Sequence, residues 1–136
     1  MATLLNRCWT IFAAGGLRPR RMVTLEVPGR RSGKLTSFPL MMAEYQGERY
    51  LVAMLGENAN WVANLRAAGG RAVLRHRVRE TVRLEEVDPR ARAPILQRYL
   101  RIAPGARPHI PLDWRAPLAD FEEIAAQYPM FRVKVI

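Results

Sequence analysis

Cysteine is nearly absent from this chain of 136 residues: Cys8 stands alone, so no disulfide can form within it. That fits a reducing compartment, and the expected location is cytoplasmic. Cys8 lies among Leu4, Leu5, Trp9 and Phe12 and reads as a small buried apolar residue. Histidine is scarce too. His76 falls on the apolar face of a strand and reads as a core residue, while His109 lies in a proline-rich loop. No spacing of His, Cys and carboxylates suits a metal ion, so no metal site is expected. No Ser–His–Asp or Cys–His arrangement points to a protein nucleophile, and no catalytic side chain can be named. The glycine spacings of a phosphate-binding P-loop and of a dinucleotide-binding turn are missing. No run approaches the roughly 20 apolar residues that span a bilayer. The N-terminal stretch lacks the basic leading region of a signal peptide. An enzyme with so few acid–base groups would depend on a bound cofactor for its reactivity.

Acids are outnumbered. Lys plus Arg is 22 and Asp plus Glu 12, a net +10, and nearly all the cations are arginine, since Lys34 and Lys134 are the only lysines. Residues 1–56 carry an excess of +5, residues 66–83 another +5, and residues 84–136 only +1. The expected partner is therefore anionic: a polyanionic small molecule, a nucleic acid or an acidic membrane surface. Few aromatics interleave with the arginines, so no nucleic-acid partner is expected.

Periodicity suggests the elements. Leu4, Cys8 and Phe12 share a helical stripe, with Arg18, Arg20 and Arg21 just downstream. That pattern suits a helix over 1–18 capping the core, and it also suits peripheral membrane contact through residues 1–21. Met22–Val27, Thr36–Glu44 and Glu48–Leu55 read as three strands, with Tyr45-Gln46-Gly47 as a hairpin turn. Asn58 is placed to cap a helix running to Ala68, with Trp61 and Leu65 on its apolar stripe and Gly69-Gly70 ending it. Residues 71–87 alternate with period two. Ala72, Leu74, His76, Val78, Val82 and Leu84 form one face, and Arg71, Arg75, Arg77, Arg79 and Arg83 a solvated ladder on the other. Asp88-Pro89 starts a helix with Ile95, Leu96, Tyr99 and Leu100 inward, the nearby Glu85 and Glu86 serving its N-terminus. A loop over 103–114, a helix with Leu118, Phe121 and Ile124, and a strand from Met130 follow. Meandering strands with inserted helices indicate an α+β fold with a mainly antiparallel sheet or small barrel. No repeat or linker divides the chain, which reads as one domain, with the helix over 1–18 preceding a barrel and its helices over 19–136.

One segment stands out chemically. Gly29-Arg30-Arg31-Ser32-Gly33-Lys34 packs three cations, a hydroxyl and two glycines between two strands. Glycines let backbone N–H groups converge, and Arg, Lys and Ser add charge-assisted donors. The combination suits a phosphate or a cluster of carboxylates, and equally a solvated turn.

This segment, with Pro39-Leu40, the Gln46-Gly47 hairpin and Asn60-Trp61-Val62-Ala63-Asn64-Leu65-Arg66-Ala67, resembles the deazaflavin-dependent nitroreductase family of split β-barrel flavin and deazaflavin oxidoreductases. The resemblance covers residues 20–90. It implies a split β-barrel of mainly antiparallel strands with helices packed around it. The implied cofactor is reduced deazaflavin, coenzyme F-420, whose phosphodiester and oligoglutamate tail want a basic groove. Carried over, Arg30, Arg31, Ser32, Gly33 and Lys34 hold phosphate and tail, and Ser37 and Pro39 lie beside the cofactor. Met54, Leu55 and Gly56 pass along the ring, and Trp61 and Asn64 close the site. The implied reaction is hydride transfer to a small hydrophobic, conjugated electrophile: a quinone, nitro compound or enone. Departures exist. The loop Leu55-Gly56-Glu57-Asn58-Ala59 is short and lacks lysine, Ala59-Asn60 replaces an Asn-Pro, and Thr36 stands where a base is frequent. A tyrosine-rich acceptor segment is missing, so nitro reduction is not implied specifically. An FMN-dependent oxidoreductase and a non-catalytic lipid- or fatty-acid-binding protein of the same fold are the alternatives. The oligomeric state is not legible.

Overall fold

The computed structural model describes residues 22–136. The expected helix over 1–18, Cys8 and the membrane-contact stripe through residue 21 lie outside the described residues. Six strands form a barrel: β1 (Met22–Pro28), β2 (Leu35–Tyr45), β3 (Glu48–Val52), β4 (Arg71–Arg75), β5 (Arg79–Glu86) and β6 (Met130–Val135). Their order around the wall is β1-β2-β3-β6-β5-β4, and β4 closes on β1. Every pairing is antiparallel. Closure leaves no free sheet edge among the described strands.

Alternation decides what faces in. Val23, Leu25 and Val27 of β1, Leu74 of β4, Val82 of β5 and Phe131 of β6 fill the interior and are nearly inaccessible. The first helix, α1 (Asn60–Ala67), plugs one mouth of the barrel with Trp61, Val62 and Leu65, and the Trp61 and Phe131 rings meet edge to face at 5.7 Å. A second core lies outside the wall. There Ala43, Tyr50, Val52 and Met130 pack under α2 (Ala93–Ile102) and α3 (Leu118–Ile124), through Leu96, Tyr99, Leu100 and Phe121. Each fully buried large apolar side chain contributes about 1.5–3 kcal/mol.

Several expectations shift. The third strand stops at Val52 rather than Leu55, because its neighbour β6 begins at Met130. Ala53 N–H then donates to Pro129 O (2.9 Å), and the chain turns away. Helix α1 starts at Asn60 with Ala59 at its N-cap and no side-chain cap, so Asn58 does not play that part. Two successive turns, Gly56 N–H to Ala53 O and Ala59 N–H to Gly56 O, use the residues between. The helix ends at the expected glycines. Gly70 (φ 82°) is required sterically as well, since a Cβ there would lie 2.7 Å from Leu84 O. Asp88 caps a single 3-10 turn, Pro89–Ala91, before α2 begins, while Glu86 bonds to arginines instead.

On the β4–β5 hairpin, Ala72, Leu74, Val82 and Leu84 point inward as expected. His76 and Val78 do not join the core, because the hairpin tip projects past the barrel. His76 Nε2 lies 2.8 Å from Glu80 Oε1, and Val78 is exposed. Leu118, expected on the inward stripe of the last helix, is also exposed. No helix among the described residues is long and apolar enough to cross a membrane.

Candidate functional site

The basic turn joins β1 to β2 and is built by its own backbone. Gly29 N–H donates to Lys34 O (2.8 Å), Gly33 N–H to Gly29 O (2.9 Å), and Lys34 N–H to Ser32 Oγ (3.2 Å). Gly33 takes φ 73°, which explains a glycine there. Arg30, Arg31, Ser32, Gly33 and Lys34 are all exposed. Among the described residues, no carboxylate pairs with Arg30, Arg31 or Lys34.

The turn is tied to α1. Asn64, 8 % exposed, accepts through Oδ1 both the Arg30 backbone N–H (3.1 Å) and Arg30 Nη1 (2.9 Å). Between turn and helix runs a groove of about 370 Å³ lined by Gly29, Arg30, Arg31, Ser32, Thr36, Ser37, Phe38, Asn60, Trp61 and Asn64. Gly33 and Lys34 belong to the turn but do not line this groove.

Phe38, Asn60 and Trp61 are shared with a larger chamber of about 640 Å³. Its walls are Pro39, Leu40 and Met41 of β2, Val52, the loop residues Met54, Leu55, Asn58 and Ala59, and, from the α2 side, Tyr99, Ala103, Gly105 and Ala106. The lining is mostly apolar, and among the described residues no charged side chain lines it. Gly56 lies outside the chamber, in an adjoining concavity with His109, Gln127 and Tyr128 that shares Met54 and Leu55. Trp61 thus packs in the core and lines both spaces at once.

Tyr99 is the unexpected member. The periodicity that marks it as an inward residue of α2 gives no sign that it meets the chamber. It is 3 % exposed and has no hydrogen-bond partner among the described residues. Burial pushes its phenol up to about 12, so it stays protonated as a donor.

Sequence reasoning also missed an ion network joining Glu57, Arg66, Glu86 and Arg92. Arg66 Nη1 donates to Glu57 Oε2 (3.0 Å), and Arg66 Nε and Nη2 donate to Glu86 (3.0 and 2.6 Å). Buried Arg92 donates to Glu86 (3.2 Å) and to the carbonyls of Val87, Ala126 and Tyr128. Arg66, and to a lesser degree Arg92, hold the Glu86 carboxyl below its ordinary range. The network ties the loop carrying Glu57 to α1, β5 and the segment before β6. Among the described residues, no group of three or more His, Cys, Asp and Glu could hold a metal ion.

A groove with cations that meet no carboxylate among the described residues, adjoining a mostly apolar chamber, fits an elongated ligand with an anionic end and a planar apolar end. A family model described as F420H(2)-dependent quinone reductase matches residues 13–106. No curated protein matches the chain. Among solved structures, it is similar to a protein of unknown function from Agrobacterium tumefaciens, with TM-score 0.60 and 13 % identity over 85 % of this chain and 48 % of that one. It therefore spans about half the length of that protein. It is similar to an F420-H2 dependent reductase, with TM-score 0.52 and 21 % identity over 85 % and 95 % of the two chains. It is also similar to an FAD-binding protein from Mesorhizobium loti, with TM-score 0.54 and 16 % identity over 86 % and 82 %. At these identities the likeness is one of fold.

Proposed function

Because this chain belongs to the F420H(2)-dependent quinone reductase family, and is by that membership a deazaflavin-dependent oxidoreductase, we propose that it reduces a quinone-type acceptor in the apolar chamber. The observation that carries this is that the basic groove and the apolar chamber adjoin, with Phe38, Asn60 and Trp61 lining both. The reduced deazaflavin, coenzyme F-420, supplies a hydride when bound.

The protein's part is positioning. Arg30, Ser32, Ser37 and Asn64 face the groove and receive the phosphodiester, while Gly33 shapes the turn and Arg31 and Lys34 add charge for the oligoglutamate tail. Pro39, Met54, Leu55 and Trp61 give the ring and acceptor apolar walls and exclude water, and Gly56 turns the loop that carries Met54 and Leu55. Tyr99, with Asn58 and Asn60, is among the polar side chains of the chamber and can donate a hydrogen bond to an acceptor oxygen. Nitro compounds and enones share the quinone's electron-poor conjugation and belong in the same acceptor screen.

The test is a fluorescence titration with oxidised coenzyme F-420 and with FMN at two salt concentrations, followed by quinone-dependent oxidation of the reduced cofactor. Salt-weakened preference for the deazaflavin together with quinone turnover supports the reading. Preference for FMN moves the protein to flavin chemistry. The uncharged chamber also suits a lipid, so uptake of a fatty acid with no binding of either cofactor replaces the reading by a non-catalytic one. In the active protein, Tyr99→Phe should lower quinone kcat by about tenfold, the equivalent of one lost hydrogen bond, and leave cofactor affinity unchanged. An unchanged kcat removes Tyr99 from the site.

A further inference from the structure

We infer that Asn64 is a positioning residue for Arg30: it holds this arginine aimed into the groove, so that one cation of the turn is fixed for the cofactor's phosphodiester while Arg31 and Lys34 stay free for its variable tail. The inference rests on the proposed cofactor site and assigns separate tasks within it.

Three observations meet at Asn64. The residue is only 8 % exposed, on the face of α1 that looks at the turn, and 34 residues separate it from Arg30. Its Oδ1 takes two donors from the same residue, the Arg30 backbone N–H and Nη1. Because both donors are on Arg30, the amide orientation is fixed: the oxygen must face the arginine and Nδ2 must face elsewhere. Nδ2 has no partner among the described residues, and Asn64 lines the groove. One neutral amide therefore anchors a cation without neutralising it. A carboxylate in this place would hold Arg30 equally well and cancel the charge the groove needs.

Anchoring matters because a guanidinium on an exposed turn gives up rotamer freedom whenever it binds. Arg30 has already given up part of that freedom in the free protein; Nε and Nη2 remain unbonded among the described residues. Arg31 and Lys34 have no such anchor and can follow a tail of variable length.

Asn64→Ala, Arg30→Ala and the double variant should be titrated with oxidised coenzyme F-420 and with the corresponding deazaflavin that lacks the phosphodiester and tail. Each single change should weaken binding of the complete cofactor by about tenfold, with little further loss in the double variant, because the two residues act as one unit. Affinity for the phosphate-free deazaflavin should change less than about twofold. Arg31→Ala with Lys34→Ala should instead steepen in effect with each added glutamate. Additive losses, or equal losses for both ligands, overturn the assignment. Amide hydrogen exchange at Arg30 reports the anchor without any cofactor: protection should vanish in Asn64→Ala and persist in Asn64→Asp, whose carboxylate keeps both bonds. Unchanged protection in Asn64→Ala overturns the anchor even where cofactor binds. If the wild type binds no deazaflavin, the cofactor reading falls and Asn64's task with it, while the exchange result still decides the anchor.

Discussion

The Gly29–Lys34 turn and the β4–β5 hairpin are both arginine-rich, yet their cations meet different fates. On the hairpin, Glu26, buried on the outer face of β1, accepts Arg75 (3.2 Å) and Arg79 (2.7 Å). Beside the hairpin tip, Glu80 takes Arg49 and His76. On the turn no acid intervenes, and Arg30 is held by a neutral amide. The hairpin arginines with no carboxylate partner among the described residues, Arg71, Arg77 and Arg83, stand on the barrel's outer wall or at the hairpin tip and do not line the groove between turn and α1. A count of cations alone would favour the hairpin, with five arginines against the three cations of the turn. The pairing of each cation, and whether it borders a concavity, separates a binding surface from a solvated or self-neutralised one.

The sharpest way to break this comparison is to remove the same number of cations from each side. Arg30, Arg31 and Lys34 changed together to Ala should weaken deazaflavin binding by about a thousandfold at low salt, three charge-assisted contacts at 1.5 kcal/mol or so each, with larger losses for longer tails. The matching set Arg71, Arg77 and Arg83 should cost no more than about threefold, through long-range attraction alone. Comparable losses from the two sets in a cofactor titration would mean that net charge, rather than the turn, draws the ligand.

Much of this contrast lies beyond local sequence. Period-two alternation makes Leu74, Val82 and Leu84 legible as core, and the glycine-bounded cluster of Arg30, Arg31 and Lys34 marks the turn before any fold is known. The partners are another matter. Arg30 meets Asn64 across 34 residues, Arg49 meets Glu80 across 31, and Arg75 and Arg79 meet Glu26 across 49 and 53. Such pairs are set by barrel register, which no short window contains. His76 shows the same limit: alternation assigns it the inward face, but only the closed barrel reveals that the wall has ended by that point. Tyr99 is legible as buried and not as chamber-lining, because what it faces comes from β2 and the loop after β3.

A second test asks whether neutralised cations can be released into service. Glu26→Gln removes the charge that holds Arg75 and Arg79 while keeping shape. Both arginines are half-exposed or more and can rehydrate, so the expected loss of stability is small, about 1 kcal/mol in a denaturant titration. Cofactor affinity should stay within about twofold, because the freed arginines lie on β4 and β5 and neither lines the groove. A clear gain in affinity would show that the hairpin can feed the site and that Glu26 restrains it.

The smallest effect expected concerns Glu80, and pH reads it. Arg49 first, then His76, hold its carboxyl down from the ordinary 4.5 to about 2 through hydrogen bonds in the folded protein. The unfolded chain binds a proton at this side chain more readily than the folded one between those two values. Stability from Glu80 is therefore complete above about pH 4.5 and is lost as pH falls toward 2. Partial exposure lets water screen the pair, so the contribution is on the order of 1 kcal/mol. Denaturant titrations of the wild type and Glu80→Gln should differ most above pH 4.5 and converge toward pH 2. A constant gap would mean that Glu80 acts by packing and shape. The hairpin's carboxylates would then be spacers between arginines, and the electrostatic side of its contrast with the turn would rest on Glu26 alone.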